Sequence, residues 1–209
     1  MKAKAISAAV LAVVLTGLAA SSPAKLYSDL ERHLQSLKSL ELTYEVAGVN
    51  AAGSTVSGRL VWVKPDRFYH DTPEWAMAEI GRERWRFLKV QNTLIRELVT
   101  SAERWSPESV LFDLTKNFRA VGQDDLDDGT RLLRLESKHE DMPGSVTLDF
   151  ASHARVPNRI RFESADGTLT DYRITSWREN GPHDESLFIP PTVPAENLID
   201  FRSAAEGGQ

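Results

Sequence analysis

The 209-residue sequence contains no cysteine. Disulfide bonds, thiolate metal sites and a thiol nucleophile are therefore excluded, and so is lipid attachment through an N-terminal cysteine after removal of a signal peptide. The sequence also lacks a G-x-S-x-G elbow, a phosphate-binding loop and a dinucleotide-binding fingerprint. We therefore expect no cofactor and no enzymatic activity.

Patterns typical of metal sites and acid–base sites are weak. The acidic segment 124–128 fails as a calcium loop, because Leu126 stands at a ligand position. None of the five histidines is paired at the spacing of a metal-binding helix. The segment 183–185, His-Asp-Glu, has acid–base side chains, but an exposed turn is the favoured interpretation. A catalytic pair of carboxylates from strands that are distant in the sequence stays an open alternative.

Basic patches are scarce as well. The formal net charge is −5, and it becomes about −7 if Lys2 and Lys4 are removed with a signal peptide. Nucleic acid is therefore not an expected partner.

The first twenty residues have the layout of a secretory signal. Lys2 and Lys4 precede an apolar run from Ala5 to Leu18, and small residues follow. A retained membrane anchor is the alternative, but the run is short for a span of about 20 apolar residues. We expect a signal peptide at 1–20, one domain at 21–202, a disordered tail at 203–209, and export to the periplasm.

Two segments have the pattern of helices. Leucines recur at spacings of four, four and three after Pro23, which predicts an amphipathic helix. Ser106-Pro107-Glu108 is a typical helix start. The apolar face of this second helix would consist of Val110, Leu111, Leu114 and Phe118.

The remainder alternates with a period of two between turn signals such as Asp128-Gly129 and Asp166-Gly167. It predicts about ten to eleven strands in an α+β, mainly antiparallel fold. A strongly curved, unclosed sheet, or half-barrel, with helices over its concave side would bury its aromatic face.

The stretch 58–68, GRLVWVKPDRF, has the most informative pattern in the sequence. Leu60, Trp62 and Lys64 share one face of a strand, which Pro65 ends or bends. The simplest interpretation is a core strand whose last residue reaches solvent.

Together with the closing Phe188-Ile-Pro-Pro191, Ile199-Asp200 and the helix order, this stretch resembles the periplasmic outer-membrane lipoprotein carriers of the LolA family. The resemblance implies an unclosed β-barrel with a helical lid over an apolar cavity for acyl chains, without catalysis or cofactor. It implies a monomer that takes lipoproteins from an inner-membrane donor complex to an outer-membrane acceptor. In the carriers, the residue before the motif proline is usually an arginine that hydrogen-bonds the lid helices.

On this basis, Lys64 is the predicted lid latch, although lysine lacks the planar fork of arginine. Phe68 matches the cavity phenylalanine of the motif. The predicted cavity wall and lid consist of Leu42, Tyr44, Leu60, Trp62, Phe68, Trp85 and Phe87, and of Val110, Leu111 and Leu114. Plain core packing is the alternative for each of them.

Two other functions stay open. A paralogue of the carriers would hold another lipid or a glycolipid. A lipid-sensing periplasmic regulatory module would signal through a protein partner.

Overall fold

A computed structural model describes residues 23–46, 55–99, 111, 114–139, 144–164 and 166–202. Two α-helices lie in these ranges, α1 at Pro23–Ser36 and α2 at Leu114–Asn117. Short 3-10 helices cover Glu185–Phe188 and Ala195–Asn197. The strands are β1 Ser39–Val46, β2 Val56–Val63, β3 Arg67–Asp71, β4 Trp75–Ile80, β5 Glu83–Leu88, β6 Thr93–Leu98, β7 Phe118–Asp125, β8 Arg131–Ser137, β9 Gly144–Phe150, β10 Arg159–Ser164, β11 Leu169–Glu179 and β12 Leu198–Asp200.

All twelve of these strands form one open sheet in the order β12-β6-β5-β4-β3-β2-β1-β11-β10-β9-β8-β7. Every neighbouring pair is antiparallel except β12 and β6, which run parallel. The mainly antiparallel, unclosed sheet was predicted, but the predicted count of ten to eleven strands was too low. The missing strand is β7, because Gly122 and the aspartates at its end have low strand propensity.

The leucine helix is confirmed. Leu26, Leu30 and Leu34 of α1 are buried, and the helix packs against β7 and β8. Tyr27 extends from α1 and donates its hydroxyl to the carbonyl oxygen of Phe118, 2.8 Å away. Burial, and secondarily the charge of Glu31, raises the pKa of Tyr27 to about 12.

The second predicted helix is described only in part, because Ser106, Pro107, Glu108 and Val110 lie outside the described residues. Helix α2 is a single turn at Leu114–Asn117. Phe118 was predicted on this helix but begins β7 instead. Among the described residues, no helix is both long and apolar enough to cross a membrane.

Two apolar cores lie on opposite faces of the sheet. The larger one joins α1, Leu111 and Leu114 to β1, β2 and β7–β11; we call this side the inner face. The smaller one combines Val61, Trp85 and Leu94 with Phe188 of the C-terminal segment; we call that side the outer face. Strand β2 contributes to both, since Leu60 belongs to the inner core and Val61 to the outer core.

Candidate functional site

An apolar cleft lies on the inner face where β1 and β2 approach β10 and β11. Alternation along β1 directs Leu42 and Tyr44 inward, and antiparallel pairing sets Leu42 opposite Leu60 and Tyr44 opposite Ile174. The cleft is lined by Leu42, Tyr44, Leu60, Leu111, Ile160, Tyr172 and Ile174. Four predicted wall and lid residues, namely Leu42, Tyr44, Leu60 and Leu111, are thus brought together.

The side chains of this cleft nearly fill it. The space between them is about 20 Å³, which suffices for about one water molecule. An acyl chain would enter only if these side chains separated. Leu111 is the one lining residue of the cleft that lies outside the described strands, and it is 2% exposed.

Tyr44 supplies a polar group at the edge of the cleft. Its hydroxyl lies 2.6 Å from Nε2 of His70, inside the protein. The imidazole of His70 is 2% exposed and meets the rings of Phe68 and Trp75 edge-on, at centroid distances of 6.2 and 4.5 Å. A buried polar pair of this kind holds the Tyr44 ring in one orientation.

Gly58 makes that orientation possible. It stands directly opposite Tyr44 in the β1–β2 register. The Tyr44 ring lies so close to Gly58 that an added Cβ would overlap it. The glycine of the sequence motif therefore serves a close approach rather than a turn.

Trp62 and Phe68 pack against the inner core from its edge and are partly buried. Lys64, at the end of the same face of β2, donates its ammonium to the carbonyl oxygen of Gln35 in the last turn of α1. The same ammonium lies 5.4 Å from the centroid of the Trp62 ring. The structure thus connects the predicted latch residue to α1.

Trp85 and Phe87 are placed elsewhere. Both belong to the outer core, and the indole of Trp85 donates to the carbonyl oxygen of Phe188, 3.1 Å away. The structure does not bring them together with the cleft, so their predicted position in the cavity wall needs correction. Alternation along β5 places Trp85 and Phe87 on one face of the sheet, and the C-terminal segment covers this face.

Charged residues occupy the inner face at this end. Directly paired residues of antiparallel strands point to the same side. Two rows follow from the register: Leu60, His70, Met77, Arg86 and Ile95, and Trp62, Phe68, Glu79, Arg84 and Glu97. Arg84 bridges Glu79 and Glu97, at 2.9 and 3.5 Å. The inner face therefore changes from apolar at β1 and β2 to ionic at β4–β6.

The other residues singled out in the sequence are Leu114, Val110 and the segment 183–185. Leu114 is 3% exposed and lies in the inner core. Val110 lies outside the described residues. In the segment 183–185, Asp184 caps the 3-10 helix and His183 lies 3.0 Å from Glu185. Across the described ranges, His, Asp and Glu side chains form no group of three or more that could hold a metal ion.

Sequence reasoning missed Ile160, Tyr172 and Ile174 as members of this site. Ile160, Tyr172 and Ile174 come from strands more than 100 residues after β1, and the register that brings them to Leu42 is not visible in a local pattern. The alternation of apolar residues with arginines in β10 and β11 was the only available signal.

Comparison with solved structures found chains to which this one is similar. An uncharacterized conserved protein from Thermus thermophilus has a TM-score of 0.54 and 12% identity, over 85% of this chain and 98% of its own. An outer membrane lipoprotein-sorting protein domain from Vibrio parahaemolyticus has a TM-score of 0.48 and 12% identity, over 78% and 94%. A LolA superfamily protein from Nitrosomonas europaea has a TM-score of 0.45 and 12% identity, over 82% and 99%.

The chain is similar in fold to LolA-superfamily structures. At 12% identity the similarity concerns the fold alone. In sequence comparisons, no protein-family model and no curated protein matches the chain.

Proposed function

We propose that this protein is a periplasmic carrier that binds acyl chains of lipoproteins in the apolar cleft and moves them from the inner to the outer membrane. The observation that supports this most is the cleft itself. It is formed by apolar and aromatic side chains from four strands together with Leu111. Such an apolar surface fits a hydrocarbon chain.

The physical need for a carrier is large. Moving an acyl chain from a membrane into water costs about 0.8 kcal/mol per methylene. A lipidated cargo therefore crosses an aqueous compartment only if a protein covers its chains. The carrier must also release them, so its affinity has to be moderate.

Packing of the cleft side chains against one another offers a way to limit that affinity. Cargo has to separate the side chains that line the cleft, among them Leu60 and Leu111, before it can enter. The free energy of closing the cleft is therefore subtracted from the free energy of binding. The bond from Lys64 to Gln35 holds α1 over the same core, and we propose that it contributes to closure as the latch.

The test is purification of the tagged protein from its native periplasm without detergent, followed by intact mass spectrometry. We expect an acylated protein to accompany the wild type and to be lost from Leu60→Glu, which places a carboxylate in the cleft wall. Free lipid instead of acylated protein would indicate a paralogue for another lipid. Equal recovery of cargo with a folded Leu60→Glu protein would refute the cleft as the binding site.

A further inference from the structure

A second, larger cavity lies along one side of α1. Its volume is about 860 Å³, and it separates the helix from the β7–β8 turn and from the loop between β9 and β10. Leu26 and Leu30 form its apolar floor. Its basic side chains are Arg32, Arg131, Arg155, His33 and His153. We call it the arginine groove.

The carboxylates of the groove are largely engaged. Asp29 forms an ion pair with Arg32 at 3.1 Å. Asp125 accepts a hydrogen bond of 2.8 Å from the side-chain amide of Gln123. These are the acidic residues among the lining side chains that the structure describes. Asp125 is directly opposite Arg131 in the β7–β8 pair, but within the described ranges neither Arg131 nor Arg155 forms an ion pair with these two carboxylates.

Arg131 is held in place and keeps unused hydrogen-bonding capacity. Its guanidinium donates to the carbonyl oxygen of Ala154 and lies 5.7 Å from the centroid of the Phe150 ring. Its Nε–H is buried and has no acceptor among the described residues. Such a fixed guanidinium is suited to a planar or tetrahedral anion.

Arg155 completes the basic side of the groove. It is exposed and follows the turn closed by the amide of Ala154 and the carbonyl oxygen of Ala151, 2.9 Å apart. Arg131 of β8 donates to the carbonyl oxygen of Ala154 in this same turn, so this bond brings β8 next to the turn that precedes Arg155. Among the lining residues three arginines stand against two aspartates, in a protein whose formal net charge is −5.

The floor of the groove continues into the proposed cargo site. Leu26 and Leu30 belong to the same apolar core as Leu42 and Leu60 of the cleft. A ligand whose anionic group lay at Arg131 and Arg155 would therefore have apolar surface directly beneath it, on the side toward the core. This arrangement matches an amphiphile with one anionic end.

We infer that the arginine groove binds the phosphate of a lipid headgroup, so that the cargo class of this carrier includes anionic lipids. The inference rests on the proposed lipid-binding function and makes it more specific. Phosphate is favoured because guanidinium groups bind its oxygens through paired, charge-assisted hydrogen bonds.

The test measures binding by calorimetry with three probes, the lipids below their micellar concentrations. Dihexanoyl phosphatidic acid and dihexanoylglycerol share their acyl chains and differ in the phosphate, and inorganic phosphate has no chains. We expect the wild type to bind phosphatidic acid about tenfold more tightly than dihexanoylglycerol, the difference expected of one charge-assisted hydrogen-bonded contact. Arg155→Gln should remove most of this preference.

Arg178→Gln is the matched control, because Arg178 is an exposed arginine of β11 outside the groove; it should keep the preference. Equal affinity of the wild type for the two lipids would overturn the headgroup site while leaving lipid carriage intact. Binding of neither lipid would overturn both. Inorganic phosphate that bound as tightly as phosphatidic acid would identify a site for free anions and overturn the lipid assignment.

Discussion

The hydroxyl of Tyr44 and Nε2 of His70 lie 2.6 Å apart within the sheet, where the two residues are 5% and 2% exposed. Tyr44 is on β1 and His70 on β3, so the bond crosses β2. It crosses at Gly58, where no side chain intervenes. The pair joins the wall of the apolar cleft to the part of the inner face that becomes polar.

Tyr44→Phe should lower the free energy of unfolding by about 1–3 kcal/mol, because a buried hydrogen bond to His70 is lost while its partner stays buried. Urea denaturation at neutral pH measures this change. A double-mutant cycle with His70→Leu separates the pair from the rest of each side chain. A coupling energy near zero would mean that the bond does not stabilise the fold.

Gly58→Ala should cost about 1–3 kcal/mol of stability, since the added methyl overlaps the Tyr44 ring and the ring has to move. Gly181→Ala is the control, because an added Cβ there meets nothing within 4 Å. In a Tyr44→Leu background the same Gly58→Ala change should cost less. Thermal unfolding that was indistinguishable between Gly58→Ala and the wild type would contradict the close approach.

Leu60→Asn should weaken binding of a fluorescent fatty acid about tenfold, since the amide places an unpaired polar group in the cleft wall. Val61→Thr is the control, because Val61 is equally buried but belongs to the outer core. Both variants lose some stability, so only Leu60→Asn should lose affinity. Similar affinities of the two variants would separate ligand binding from the cleft.

Lys64→Met should increase amide hydrogen exchange in the last turn of α1, because it removes the hydrogen bond from the ammonium to Gln35 and a favourable charge at the helix C-terminus. If the bond is a latch, release of bound fatty acid should also accelerate. Lys64→Arg should resemble the wild type. Lys38→Met, at an exposed neighbouring lysine, should change neither rate; a latch would be refuted if it acted like Lys64→Met.

Tyr27 should make stability depend on alkaline pH. Its phenol has a pKa of about 12 in the folded protein instead of the ordinary 10.0. Between these pH values the folded state retains a proton that the unfolded state has lost. The contribution of Tyr27 to the free energy of unfolding is therefore fully present below pH 10 and is lost as the pH rises toward 12. Tyr27→Phe should remove this part of the decline in alkaline urea titrations, and an unchanged decline would contradict the assignment.

Local patterns in the sequence were sufficient for most elements. The leucine spacing predicted α1 because a helix with that stripe buries one face wherever it packs. Most of the strands were likewise expected from the alternation of apolar and polar residues between turn signals. Turn glycines such as Gly129 and Gly167 have positive φ angles of 82°, which is why they could be recognised without tertiary information.

Features that depend on residues far apart in the chain were harder to predict from the sequence. Strand β7 begins at Phe118, which carried the apolar pattern of the preceding helix, and its pairing with β8 includes an irregularity between Ala120 and Gly122. The parallel pairing of β12 with β6 joins segments about 100 residues apart. The start of β7 and the pairing of β12 with β6 do not follow from the composition of these strands. Strand pairing depends on which sheet edge is still available for hydrogen bonding.

The sequence by itself determined the elements and which residues share a face within each strand, since both depend on backbone geometry over a few residues. The tertiary structure decided which face becomes the wall of the cleft. Leu60 lies on the inner face, whereas Trp85 is covered by Phe188 from the far end of the chain. Pleat alternation relates neighbours along a strand, but the partner that covers a face comes from elsewhere in the fold.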